Sequence, residues 1–213
     1  MSENRTSEAN AAILSTWLKA LLLLRTVSLV VWLMDYLPLK LTWLSWVDAA
    51  LSALAILYLF QLGRANRRYQ KSAIFRVLCL CYTLYTLASA YFPPSYILAL
   101  SNFQYSRLLS ETVLVIFGVA SILAVYQEYH AHADVIKVLD PKLSGNWHTL
   151  FICTLGVAIL GFTVSLVITM LVDGGYLDIS MSVISATFTG VILFVLHLFS
   201  ILYLHKTVRL LQQ

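Results

Sequence analysis

Several stretches of this chain run for about 18 residues or more with almost no charge, the length a helix needs to cross about 30 Å of hydrocarbon. No other feature restricts the possible folds as severely. Sixty per cent of the 213 residues are apolar and 11% are charged, with a mean hydropathy of +0.83. The pieces between the apolar runs are too short to build a soluble catalytic domain. The reading is an all-α, polytopic transmembrane bundle of six helices in a single domain over residues 1–213. Its spans are expected at about 12–34, 41–62, 73–92, 108–129, 149–172 and 182–205.

Orientation follows from Lys and Arg. The turn between the second and third spans holds Arg64, Arg67, Arg68 and Lys71, with Arg76 just inside the third. The loop after the fourth span holds Lys137 and Lys142, and the tail holds Lys206 and Arg209. The opposite side has only Lys40 and Arg107, beside Asp173 and Asp178. Basic residues stay in short cytoplasmic loops, so both termini are expected in the cytoplasm, in a multi-pass protein of the cell membrane. The same rule explains the net charge of +4 without a nucleic-acid partner. Asn4-Arg5-Thr6 has the form of a glycosylation sequon, but its expected cytoplasmic place makes it a chance match. The first apolar run is too long for a signal peptide and contains Lys19 and Arg25, so it reads as the first span.

Cys79, Cys81 and Cys153 lie inside apolar runs and read as small hydrophobes. Cys79 and Cys81 point about 200° apart on a helix, which excludes a mutual bridge or a zinc knuckle. Tyr36, Trp43, Trp46, Tyr91, Phe92, Tyr96, Phe103 and Tyr105 form an expected outer aromatic belt, with 95–106 as a half-helix on the outer leaflet. Ala49 and Ala53, and likewise Ser182, Ala186 and Gly190, are spaced for close helix approach. The two halves show no convincing inverted repeat.

Charged and polar residues inside the spans need a reason. Arg25 and Asp48 fall at similar depth on neighbouring antiparallel helices, and an unpaired charge there costs on the order of 3 kcal/mol. An Arg25–Asp48 ion pair is therefore expected, either fixing register or forming part of a site. Lys19 and Arg76 lie close enough to the cytoplasmic face to snorkel. Glu111, beside Arg107, complements the start of the fourth helix. His197 lies about 12 Å inside the sixth span, at 1.5 Å per residue from His205, and can bridge helices or serve a site. The densest polar cluster contains Glu128, His130, His132 and Asp134. Glu128/His132 and His130/Asp134 are i,i+4 pairs on divergent faces, so all four cannot converge on one ion from a straight helix. The expectation is an amphipathic extension with Ala131, Val135, Val138 and Leu139 as its apolar stripe, stopped by Asp140-Pro141. Residues 143–147 then turn the chain back, with Trp147 at headgroup level.

These residues define no catalytic set, no metal site and no cofactor. In size and helix count the chain resembles the substrate-binding membrane subunits of bacterial vitamin importers. The Ala-x-x-x-Ala pattern of their first helix is not matched, since Ala11, Ala12 and Ala20 have another spacing. That resemblance implies a non-enzymatic transport or ligand-capture module. A membrane subunit of a larger complex is an equally non-enzymatic reading. The alternative is a small membrane enzyme using the His/carboxylate cluster on lipid or metal, against which stands the lack of paired His boxes. The expected partners are the lipid bilayer and either a protein or a small-molecule ligand.

Overall fold

The computed structural model describes residues 2–35, 43–91, 105–178 and 180–212. They form six helices: α1 (Ser2–Asp35), α2 (Trp43–Leu62), α3 (Arg67–Tyr91), α4 (Tyr105–Ile136), α5 (Pro141–Asp173) and α6 (Ser180–Leu210). The described residues include no strand. By length and composition, five segments can cross a membrane: Ile13–Met34, Trp43–Leu62, Arg67–Ala88, Pro141–Val172 and Val183–Leu210. The expected fourth span lies in α4, which is not among those five. Pro38, residues 95–104 of the half-helix expected over 95–106, and the side chains of Arg107 and Glu111 lie outside the described residues, and residues 105–106 begin α4.

The chain forms two compact units, Met1–Ala131 with Leu211–Gln213, and His132–Leu210. In the first, α1 packs on α2 and α2 on α3. Leu14, Leu18, Leu21 and Leu29 are buried at three- and four-residue steps, and Arg25 falls on the same stripe. They share the interior with Leu59, Leu62, Tyr69 and Ala73, all fully or almost fully buried. The α2–α3 turn is tight. Asn66 Oδ1 accepts the Arg68 N–H at 2.9 Å, capping α3. A Cβ on Gly63 would lie 2.9 Å from Gln70 Cβ, so only glycine admits the start of α3 this close. Helix α4 joins α3 through Ser72 Oγ, which donates to Ala124 O at 2.9 Å, and through Tyr82 stacked on Phe117 at 4.6 Å.

In the second unit α5 and α6 form a long hairpin. Its close approach comes at Gly161, where a Cβ would stand 2.5 Å from Thr189 Cγ2. The contact lies one residue from Gly190 of the expected small-residue face, while Ala186 is exposed. Helix α4 stops at Ile136, three residues short of the expected Leu139; residues 137–139 are a turn, closed by Asp140 N–H on Ile136 O at 2.8 Å. Asp140 then caps α5, accepting the Leu143 N–H at 2.9 Å with Pro141 in the first turn. Residues 143–147 are therefore the start of α5, not a return turn. Leu143, Trp147 and Leu150 form its buried stripe, and Trp147 is in the core rather than at the surface. Val138 and Leu139, expected in an apolar stripe, are exposed.

Candidate functional site

Helix geometry decides which charges meet. The contacts Trp17–Tyr58, with ring centroids 5.6 Å apart, and Ser28–Asp48, at 3.5 Å, set the register of antiparallel α1 and α2. In that register Arg25 lies level with Leu51, about one turn from Asp48. Side chains also lean toward the N-terminus of their own helix. Arg25 leans away from Asp48, toward the end where α2 turns into α3. Arg76 on α3 leans the same way, and Glu128 on α4 leans back to meet both.

The result is a three-residue ion cluster in place of the expected Arg25–Asp48 pair. Arg25 Nη2 donates to Glu128 Oε1 at 2.6 Å. Arg76 donates to Glu128 Oε2 from Nη2 at 2.6 Å and from Nε at 3.1 Å. The carboxylate is 2% exposed, against 20% and 23% for the two arginine side chains. Charge-assisted bonds of this length are the strong class, and they offset the desolvation of the buried carboxylate. Arg76 is thus held inside the protein rather than snorkelling to a surface. Two guanidiniums against one carboxylate leave a formal charge of +1.

Beside the cluster lies a cleft of about 90 Å³, lined by Ser52 and Ile56 of α2, Arg76, Cys79, Leu80 and Thr83 of α3, and Ser121 and Ala124 of α4. Cys79 Sγ contacts Phe117 O at 3.8 Å, and Thr83 Oγ1 donates to Cys79 O at 3.1 Å. The lining contains no acidic residue.

The other sequence candidates are placed apart. Asp48 is exposed and accepts from Ser28. His197 is half-buried on α6, and its carbonyl accepts the Ser200 hydroxyl at 2.7 Å. His130 turns its Nδ1 to Tyr126 O at 2.8 Å, so Nδ1 carries the proton. Asp134 is exposed. His132 is buried against Trp147, with ring centroids 4.6 Å apart. Trp147 Nε1 donates to Thr207 Oγ1 at 3.2 Å, and Thr207 donates to Tyr203 O at 2.9 Å. Among the described residues no three His, Cys, Asp or Glu side chains gather as metal ligands. Cys81 and Cys153 are exposed on their helices, not buried. The sequence names Glu128 but not its partners; the lean of Arg76 toward the start of α3 was the available signal.

Comparison with known proteins found no matching family model, no similar curated protein and no similar solved structure.

Proposed function

We propose that this chain is a non-enzymatic, multi-pass protein of the cell membrane that captures or moves a small molecule through the cleft beside Arg76. In this reading it has six spans, with α4 as the fourth, and both termini face the cytoplasm. Lys and Arg supply the orientation: Arg64, Arg67, Lys71, Lys137, Lys142, Lys206 and Arg209 are all exposed and fall on the expected inner side. One observation carries the ligand reading. A polar cleft backed by a buried ion cluster lies within otherwise apolar helices. Ionisable groups within membrane-spanning helices face the bundle interior or a cavity and mark substrate and ion paths.

Native mass spectrometry of the detergent-purified chain tests this. A retained small molecule, lost on Ser121→Trp, is the expected result; a chain that retains none, in any membrane mimetic, refutes it. A second reading, a membrane subunit of a larger complex, draws on the α5–α6 hairpin. Ile152, Ile159, Leu160, Phe162 and Met170 of α5 are exposed, so the face of α5 turned away from α6 is left for lipid or a partner. A stoichiometric protein companion on purification, with an empty cleft, would favour that second reading.

A further inference from the structure

We infer that the cleft beside Arg76 is an anion site. Its occupant is a small carboxylate- or phosphate-type oxyanion, held by Arg76 with the hydroxyls of Ser52 and Ser121. This deepens the ligand-capture reading and rests on it.

The argument is one of unspent donors. Arg76 has five N–H groups, of which two are directed at a single oxygen, Glu128 Oε2. The remaining three have no protein acceptor among the described residues, and the side chain lines the cleft. Ser52 and Ser121 line the same cleft, and neither hydroxyl has a protein partner among the described residues. The hydroxyl proton of Thr83 is already committed to Cys79 O, so Thr83 contributes only an acceptor edge. The cleft offers only neutral hydroxyl oxygens as acceptors and no carboxylate, and the cluster behind it carries +1. An anion supplies the missing charged acceptors and brings the cluster to neutrality. A planar guanidinium with several free N–H groups is matched in shape by a carboxylate or phosphate. Size limits the ligand. A water needs about 10–15 Å³ by this measure, so a cleft of about 90 Å³ holds only a handful of heavy atoms. Depth favours a free anion over a lipid headgroup. Arg76 is nine residues past the first residue of α3, about 13 Å along its axis.

The test uses the full chain in phosphatidylcholine nanodiscs and follows thermal unfolding against sodium acetate, sodium phosphate and sodium chloride. Wild type should gain a saturable rise in melting temperature with acetate or phosphate beyond the effect of chloride. Arg76→Gln should show only the nonspecific salt effect. Ser52→Ala with Ser121→Ala should weaken the apparent affinity about tenfold or more; these serines lie outside the ion cluster, so this variant serves even if Arg76→Gln fails to fold. A saturable effect with phosphatidylglycerol discs, lost in the serine variant, would keep the oxyanion chemistry and assign it to a headgroup. Equal responses in wild type and serine variant would overturn the inference. So would retention of a neutral or cationic molecule that Ser121→Trp displaces, although the ligand-capture reading would then stand. An empty cleft with every ligand would remove both.

Discussion

Glu128 commits one oxygen to each of two arginines, and each removal leaves a different balance of charge. Glu128→Gln strands two guanidiniums in the interior. It should destabilise most, by about 3–5 kcal/mol in the range seen for broken buried pairs. Arg25→Gln leaves a neutral Arg76–Glu128 pair and should cost less. Equilibrium unfolding in detergent orders the two, and the idea fails if Arg25→Gln is the worse. Arg25→Ala and Asp48→Ala should add within about 0.5 kcal/mol, because the register separates them; strong coupling would show that they touch. Gln127 Oε1 is buried without a hydrogen-bond partner among the described residues. An unsatisfied buried acceptor costs about 1–3 kcal/mol, so Gln127→Leu should raise the melting temperature.

Among the elements, α5 shows how one dipeptide can be read in two directions. Asp140-Pro141 looks like the end of a helix because the residue before proline avoids helical geometry. It serves equally as the cap and first turn of the next helix, and the Asp140–Leu143 bond selects that role. Once α5 starts at Pro141, the Leu143/Trp147/Leu150 stripe faces inward and takes His132 with it. The histidines are therefore not equivalent. His132→Gln should destabilise more than Leu139→Ser, since Leu139 is 56% exposed and His132 is 1% exposed. Trp147→Phe keeps an aromatic ring but loses both the Thr207 bond, worth about 1 kcal/mol, and part of the buried indole volume, so it should cost more than about 1 kcal/mol; Trp147→Ala should cost more still, about 3–5 kcal/mol. Thermal melts of the four variants check the ranking, and a silent His132→Gln would contradict the packing.

For the molecule as a whole, the proposed topology places Gly174 outside and Gln70 inside. On a background without Cys79, Cys81 and Cys153, an impermeant thiol reagent applied from outside should label Gly174→Cys and miss Gln70→Cys. The reverse pattern would invert the orientation, and labelling of both would change the number of spans.

The helical class, the extents of α2 and most of α3, and the presence of costly polar residues were legible in the chain. Length, hydropathy and the sign of loop charges are local quantities, and neighbours do not alter them. Glu128 stood out for the same reason, as a carboxylate at the edge of an apolar run. Its partners did not. Arg25 was assigned to Asp48 because depth was counted from approximate helix ends, and an error of one turn is enough to change the neighbour. Only packing decided the register, through Trp17–Tyr58 and Ser28–Asp48, and only packing brought α3 beside α4. The cleft exists for that reason as well: Ser52, Arg76 and Ser121 come from three helices. Their convergence depends on inter-helix register and side-chain lean, which a linear pattern does not encode.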